Sequence, residues 1–160
     1  MERISKANYY LDIDETVLEL ATCLRRVYGA IIVKNDEIIS TGYNGAPRGR
    51  QNCVDMGFCT REMMKVPRGE RYELCRSVHA EANAIISASR RDMVGATLYL
   101  VGRDAPTGKL LGDATSCAMC RRQVINAGIA KVIIRKTPTE FEVVDVQSWV
   151  HEEDDVPALQ

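Results

Sequence analysis

The stretch that decides the fold is Ser77-Val78-His79-Ala80-Glu81-Ala82-Asn83-Ala84-Ile85-Ile86, and it is matched later in the chain by Ser116-Cys117-Ala118-Met119-Cys120. A histidine and a Cys-x-x-Cys pair supply three of the donors that zinc prefers, which leaves the fourth tetrahedral position free for water or substrate. A histidine by itself is more often a hydrogen-bonded core residue. Beside a carboxylate two residues on and two cysteines, it predicts a catalytic zinc bound by His79, Cys117 and Cys120.

Apolar residues at helical spacing accompany both parts of this set. They predict one helix from His79 to about Ser89 and another from Cys117 to Ala127 that ends at Gly128. Cys117 and Cys120 would then project from one side of a first helical turn, where the helix dipole favours thiolate. We therefore expect the zinc to lie between two helix N-termini.

Glu81 is within reach of a zinc-bound water but is not needed as a ligand. Because zinc lowers the pKa of its water, Glu81 can take that proton and pass it to a ring nitrogen and then to a departing amine. This chemistry is the hydrolytic deamination of an amino-substituted ring. The same residues are similar to the established signature of zinc deaminases, His-x-Glu followed by Pro-Cys-x-x-Cys, with Ser116 in the place of the proline.

The remaining pattern alternates helices with strands. Apolar spacing predicts a first helix from Asp14 to about Tyr28, with Cys23 on or near its packed side. Residues Asn35-Asp36 separate two β-rich runs and predict a β-hairpin. Strands are predicted at 30–33, 38–41, 97–101, 131–135 and 141–146, with an irregular polar stretch at 51–74 and a loop at 102–115 that has room for a short hairpin. This order predicts an α/β sheet with helices on its faces.

Size and composition limit the classes of function. The 160 residues, of which 46% are hydrophobic, suit one domain over 1–160, with an acidic tail expected to be flexible from about His151. Lys and Arg total 21 against 22 for Asp and Glu, so no broad basic surface for nucleic acid is expected. Without a membrane-length apolar run or a leader, we expect a cytoplasmic protein.

Residues 42–49 form a glycine-rich segment, Gly42-Tyr43-Asn44-Gly45-Ala46-Pro47-Arg48-Gly49. Its backbone must turn sharply or approach a ligand closely. Exposed amides beside Arg48 and Arg50 would suit an anion such as phosphate, whereas the alternative is a surface turn. Arg90, Arg103 and Arg135 could also meet a phosphate or could be surface charges, so nucleoside and nucleotide substrates both remain open.

Together these motifs resemble the cytidine and deoxycytidylate deaminase superfamily. Residues 79–85 and 117–120 carry the likeness to the superfamily, and residues 42–49 are similar to the Gly-Tyr-Asn-Gly-x-Pro-x-Gly segment of deoxycytidylate (dCMP) deaminases. The resemblance runs from the first helix through the strand near Ile134. It implies a three-layer cytidine-deaminase-like fold with a mixed β-sheet flanked by helices, and conversion of dCMP to dUMP and ammonia for thymidylate synthesis.

The resemblance also implies roles for single residues. Asn44 would contact the sugar, and the backbone of Ala80 would meet the pyrimidine. Asn44, Gly45, Arg48 and Gly49 would bind phosphate or an effector nucleotide, with dCTP activating, dTTP inhibiting and Mg²⁺ accompanying the effector. Members of this group are homo-oligomers, often hexamers, so the same is expected of this chain.

Four further cysteines lie outside the catalytic set: Cys23, Cys53, Cys59 and Cys75. Cys23 and Cys53 stand where some dCMP deaminases carry ligands of a structural zinc, and four thiolates would close such a site. The alternative is four free cysteines that pack as small apolar residues. In a reducing cytosol either outcome is favoured over disulfides.

The chain departs from the family at two positions beside the zinc motif. Ser116 stands where proline is usual, and Ala118 stands where a second proline is common. Because serine is a good N-cap, the helical turn is still expected to form. The loop from Gly102 to Thr115 is longer than in the shorter family members and borders the expected active site.

Other functions would use the same motifs. A transfer-RNA adenosine deaminase shares the zinc set, although the near-neutral charge and the glycine-rich segment argue against that substrate. A catalytically silent, nucleotide-binding regulator would have no need of Glu81. Other cytosine nucleosides and nucleotides are the remaining alternative substrates.

Overall fold

A mixed five-stranded sheet forms the centre of the structure, a computed structural model that describes residues 1–152. The strands are β1 (Arg26–Lys34), β2 (Glu37–Tyr43), β3 (Thr97–Asp104), β4 (Lys131–Arg135) and β5 (Phe141–Asp145). They lie in the order β2-β1-β3-β4-β5, in which β3 and β4 are parallel and the other neighbours are antiparallel. The predicted flexible tail begins at about His151, and most of it lies outside the described residues.

The first helix, α1, lies earlier in the chain than predicted. It spans Lys6–Val17, with the Ser5 hydroxyl accepting a hydrogen bond from the amide of Asn8, and a 3-10 turn at Leu18–Leu20 follows it. The prediction of a helix from Asp14 to Tyr28 was therefore wrong. The apolar residues after position 25 belong to β1, because their β-branched and aromatic side chains pair across the sheet with β3. Cys23 accordingly lies in the connection and not on a helix.

The hairpin and the two faces of the sheet follow the sequence pattern closely. Asn35 and Asp36 join β1 to β2 with positive φ values of 52° and 62°, the backbone geometry that two-residue hairpins favour. Helix α1 covers one face of the sheet, and the other face carries the helices of the predicted zinc motifs. Alternate residues of β1 serve the two cores, with Ile31 and Val33 on the α1 side and Ala30 and Ile32 on the opposite side.

Two helices on that opposite face carry the motifs. Helix α4 spans Ala80–Ile86, and α6 spans Ala118–Ala127 and ends at Gly128, whose φ of 82° provides the expected left-handed cap. Helix α4 ends earlier than predicted, because Ser89 caps a separate short helix, α5 (Arg90–Met93). Gly42 lets β2 approach α4, since a Cβ there would come closer than 3.0 Å to backbone atoms of the helix.

The connections contain short elements that the sequence pattern did not indicate. Residues 51–74 include α2 (Cys53–Met56), α3 (Thr60–Met63) and a 3-10 turn at Tyr72–Leu74. Strand β3 extends to Asp104, and Arg103 bridges to Leu110, so the long loop does contain a short hairpin. A last helix, α7 (Val146–Val150), packs Trp149 against the core. Within residues 1–152, no helix is both long and apolar enough to span a membrane.

Candidate metal centre and active site

The side chains of His79, Cys117 and Cys120 converge where α4 and α6 begin. His79 is the N-cap residue of α4, Cys117 is the N-cap residue of α6, and Cys120 lies in the first turn of α6. Nδ1 of His79 is 3.5 Å from Sγ of Cys117 and 3.4 Å from Sγ of Cys120. All three donor atoms lie within 4.8 Å of one another.

These distances fit a tetrahedral zinc ion. Zinc binds an imidazole nitrogen at about 2.0 Å and a thiolate sulfur at about 2.3 Å, so tetrahedral angles require an N···S separation of about 3.5 Å. The separations of 3.5 Å and 3.4 Å agree with that value. Three donors leave one position open, as catalytic zinc sites do.

Hydrogen bonds among the three donors shift their pKa values in different directions. The hydrogen bond from Cys120 and the neighbouring His79 lower the pKa of Cys117 to about 4, and the Cys117 thiolate in turn raises the pKa of Cys120. Hydrogen bonds of the His79 ring with Cys117 and Cys75 raise the pKa of His79 to about 10, although burial opposes this change. A thiolate of Cys117 is the form that binds metal.

Glu81 lies in the first turn of α4, beside the three donors. Its side chain is only 4% exposed, and burial raises its pKa. Hydrogen bonds from its own backbone amide and from Ser116, together with the charge of His79, partly offset this rise in pKa. A raised pKa makes the carboxylate a better proton acceptor. This placement suits a proton carrier next to a metal.

Ser116 does not have the capping role expected from the sequence. The Cys117 thiolate accepts the cap hydrogen bond from the amide of Cys120 at 3.4 Å, and the buried Ser116 hydroxyl lies beside the Glu81 carboxyl, whose pKa it lowers. The first turn of α6 therefore forms without either proline, because the sulfur of Cys117 takes the place of the serine oxygen.

A cleft of about 140 Å³ leads to this centre. Its lining includes His79, Ala80, Glu81 and Cys117. Tyr72 reaches the cleft from the irregular connection and packs edge-to-face on the His79 ring, with a centroid distance of 5.1 Å. The cleft is many times larger than the volume one water molecule needs.

Asn44 also lines the cleft, but it has a structural task as well. It is 6% exposed, its Oδ1 accepts from the amide of Tyr28 at 2.8 Å, and its Nδ2 donates to the carbonyl of Arg26 at 2.9 Å. It therefore extends the hydrogen bonding of β1 past the end of the hairpin ladder. One hydrogen of Nδ2 is left for a ligand.

The other residues of the glycine-rich segment lie apart from the cleft. The backbone of Gly45 exchanges hydrogen bonds with Val78 at 3.2 Å and 2.7 Å, so its amide is not free to bind an anion. Arg48 and Gly49 are exposed, and Gly49 has a φ of 87°. The segment thus holds Val78, the residue before His79, through an isolated β-bridge, and Arg48 and Gly49 are exposed to solvent.

The four remaining cysteines occupy one neighbourhood without forming a closed set. Cys23, Cys59 and Cys75 line the cleft, and each of them, after burial, raises the pKa of Cys53. Within residues 1–152, only His79, Cys117 and Cys120 bring three donors of this kind within 4.8 Å. The thiols of this second set are all free.

The arginines that the sequence singled out are not the arginines of the cleft. Arg90 donates to the carbonyl of Asn126, Arg103 pairs with Glu15, and Arg135 is almost fully buried between α1 and the sheet. The cleft is lined instead by Arg25, Arg26, Arg61 and Arg68. No motif or period marks these residues, because Arg25 precedes β1, Arg26 begins it, Arg61 lies in α3 and Arg68 lies in the loop that follows α3.

Comparison with known proteins agrees with this geometry. The family model described as the cytidine and deoxycytidylate deaminase zinc-binding region matches residues 4–136. The deoxycytidylate deaminase of Mycobacterium phage D29 is 33% identical over 141 residues, which cover 85% of this chain and 98% of that protein. The deoxycytidylate deaminase of Schizosaccharomyces pombe is 30% identical over 131 residues, which cover 82% of this chain and 37% of that protein.

Solved structures share the fold. The cytidine deaminase from Burkholderia pseudomallei superposes with a TM-score of 0.60 at 18% identity, over 90% of this chain and 95% of that one. The dCMP deaminase from cyanophage S-TIM5 in complex with dCMP and dUMP gives a TM-score of 0.56 at 23% identity, over 84% of each chain. The predicted three-layer, mixed-sheet fold is therefore confirmed.

Proposed function

The chain belongs to the cytidine and deoxycytidylate deaminase family, and from this premise we propose that it is a zinc-dependent enzyme that hydrolyses dCMP to dUMP and ammonia for thymidylate synthesis. The observation that carries the proposal is the convergence of His79, Cys117 and Cys120 beside the buried Glu81, at the inner end of a cleft. These are the parts that hydrolytic deamination of a nucleobase requires.

The residues of the chain divide the chemistry among them. A zinc ion held by His79, Cys117 and Cys120 would supply a water molecule of lowered pKa as the nucleophile. Glu81 takes a proton from the attacking water, gives it to N3 of the pyrimidine, and later delivers a proton to the amine on C4. A C4–O bond forms, the C4–N bond breaks, and ammonia leaves.

Two observations support a nucleotide as the substrate. Relatives that align with more than four fifths of this chain are named deoxycytidylate deaminase. The cleft is lined by four arginines and one carboxylate, Glu81, so the net charge of its lining is positive. Such a surface attracts a phosphate dianion more strongly than a neutral nucleoside.

The test is an ammonia-release assay with cytidine, deoxycytidine, CMP, dCMP and dCTP as separate substrates. We expect the highest kcat/KM with dCMP. A transfer-RNA anticodon substrate belongs in the same series, and faster release from it would replace the proposed substrate. Absence of release from every compound would leave only a binding function.

Replacing Glu81 with glutamine tests the proton carrier. Glu81→Gln keeps the shape of the side chain but cannot accept a proton, so we expect kcat to fall by about 10²- to 10⁴-fold. Zinc content, measured by atomic emission, should stay at the level of the unaltered enzyme. Near-normal turnover by the zinc-loaded variant would contradict the assigned role.

We also propose a structural zinc held by Cys23, Cys53, Cys59 and Cys75. The four cysteines lie in one neighbourhood, which supports a shared zinc site. Their thiols would have to move closer together to bind one ion. Purified protein should then contain two zinc ions per chain, and Cys53→Ser should reduce this number to one without removing the catalytic ion. A content of one zinc in the unaltered chain would exclude the second site.

Regulation and assembly extend the proposal. We propose that dCTP activates the enzyme and that dTTP inhibits it, with Mg²⁺ accompanying the effector. The effector would bind at the exposed part of the glycine-rich segment, formed by Arg48 and Gly49. We also propose that the chain forms homo-oligomers, with hexamers favoured. The free state of the six cysteines supports work in the reducing cytoplasm. We propose further that residues 1–160 act as one domain. Activity measured with each effector, and sedimentation with and without it, tests this regulation.

A further inference from the structure

We propose that Arg26, Arg61 and Arg68 form a subsite for the 5′-phosphate of the nucleotide, an assignment that rests on the proposed deaminase function. None of these arginines belongs to a motif of the sequence. All three line the cleft that leads to His79 and Glu81. They make the chain selective for a nucleoside monophosphate over the free nucleoside.

Arg61 is the fixed member of this subsite. It is only 7% exposed, and its Nε and Nη2 donate to the carbonyl of Glu70 at 3.1 Å and 2.7 Å. Within the described residues it has no ion-pair partner, and its Nη1 makes no hydrogen bond. A buried guanidinium without a counter-ion is costly, and an anionic ligand in the cleft would compensate its charge.

The side chain of Arg61 is also held on its flat face. Its guanidinium lies over the ring of Tyr72 at 4.5 Å from the centroid, and Tyr72 in turn packs against His79. The guanidinium is thus separated from the metal-ligand ring by one aromatic side chain. A nucleotide whose base lies beside His79 has its phosphate one sugar away, which places the phosphate toward Arg61.

Arg26 and Arg68 approach each other from different parts of the chain. Nη1 of Arg26 is 4.0 Å from one carboxylate oxygen of Asp113, and Nη2 of Arg68 is 3.3 Å from the other. The Asp113 side chain is 67% exposed, so this ion pair is solvated and weak. A phosphate dianion, with more charge and three terminal oxygens, would exchange readily for this carboxylate.

The charge balance of the cleft favours the same assignment. Arg25, the fourth arginine of the lining, is neutralised by Glu62 at 2.8 Å. Arg26 and Arg68 share the single charge of Asp113, and Arg61 has no carboxylate partner among the described residues. Three guanidiniums therefore face one shared carboxylate, which leaves a surplus of two positive charges. A nucleoside monophosphate carries about this charge with opposite sign at neutral pH.

The experiment compares dCMP with deoxycytidine in variants of the chain of residues 1–160. We expect Arg61→Met to lower kcat/KM for dCMP by about 10- to 100-fold, because a charge-assisted hydrogen bond is lost, while the value for deoxycytidine changes by less than about threefold. Arg68→Met removes an exposed side chain and should lower the dCMP value by about 3- to 10-fold. Arg61→Lys keeps the positive charge but not the planar set of guanidinium donors. Its kcat/KM for dCMP should lie between the values of Arg61→Met and the unaltered enzyme.

The matched control is Arg91→Met, which removes an exposed arginine of α5 that does not line the cleft. It should leave both substrates unaffected. Zinc content and thermal unfolding of each variant show whether the protein is folded. Arg68→Met keeps the test valid even if Arg61→Met fails to fold.

A binding measurement separates this inference from the proposed reaction. Titration calorimetry should show tighter binding of dCMP than of deoxycytidine, and inorganic phosphate should compete with dCMP in the unaltered protein but less in Arg61→Met and Arg68→Met. Equal losses on both substrates in folded variants, or no preference for dCMP in the unaltered enzyme, would overturn the subsite and leave the deaminase intact. Failure to release ammonia from any compound, with the binding preference present, would refute the reaction and support the subsite.

Discussion

A single methyl group at position 42 should disturb the metal centre from a distance. Gly42 lies in β2 directly beneath α4, and a Cβ there would come within 3.0 Å of the oxygen of Ala80, the nitrogen of Ala84 and the carbonyl carbon of Asn83. All three are backbone atoms, so no side chain can rotate away. Because carbon contacts are comfortable only beyond about 3.5 Å, Gly42→Ala requires α4 to move away from β2 by about 1 Å.

This movement affects both stability and the site. Overpacking of this kind costs about 1–3 kcal/mol of unfolding free energy, and it would strain the hydrogen bond from the Asn83 side chain to the carbonyl of Tyr43, now 2.8 Å. Because α4 carries Glu81 and begins at His79, both residues move with it. A displacement of about 1 Å at reacting groups costs on the order of 100-fold in activity.

The assay for Gly42→Ala combines denaturant unfolding, zinc affinity by chelator competition, and ammonia release from dCMP. The control is Gly112→Ala, because a Cβ at Gly112 would have its nearest neighbour at 3.8 Å. Gly112→Ala makes the same change in the unfolded chain without a clash. Its free energy of unfolding should stay within about 0.5 kcal/mol of that of the unaltered protein. If Gly42→Ala matched Gly112→Ala in stability, zinc affinity and activity, close packing of β2 on α4 would not position the site.

Three further predictions concern buried charge and the metal. Burial raises the pKa of Asp14 well above 3.8, so the free energy of unfolding should fall as pH rises from about 4 through the folded-state pKa. Asp14→Asn should lack this decline in denaturant unfolding. Parallel pH profiles of the two proteins would contradict the prediction. Arg135, 1% exposed, pairs with Glu15 and, at 2.7 Å, with Asp12. Arg135→Met should therefore lower the free energy of unfolding by about 3 kcal/mol in the same assay. A loss below about 1 kcal/mol would show that these ion pairs contribute little. Cys117→Ala should lose the catalytic zinc, measured by atomic emission, while circular dichroism remains unchanged; retention of that zinc would exclude Cys117 as a ligand.

Features that depend on near neighbours in the chain were predictable. The Asn35-Asp36 turn and the Gly128 cap require backbone angles that only a few residue types adopt, so their chemistry is visible in the sequence. Strands β3 and β4 appear as continuous apolar runs because both faces of the sheet are covered. The proximity of Cys117 to Cys120 likewise follows from one helical turn.

Helix α1 shows where local pattern fails. The apolar spacing after Asp14 continues past Val17 and cannot distinguish a longer helix from a helix followed by a strand. Pairing of β1 with β3, between residues far apart in the chain, decides the boundary. For the same reason Cys23 lies in a connection and not on a helix. Sequence spacing does not determine the distances between the four thiols outside the catalytic set.

By itself the sequence predicted which residues could do chemistry, since the order and type of His79, Glu81, Cys117 and Cys120 indicate three metal donors and a proton carrier. Only the tertiary structure decided which side chains surround the place where a substrate would lie. Arg26 comes from β1, Arg61 from the short helix α3 and Arg68 from the loop after it, so no period links them. The physical reason is that a helical turn sets short-range geometry through local hydrogen bonds, whereas the walls of a cleft are brought together by packing between distant segments.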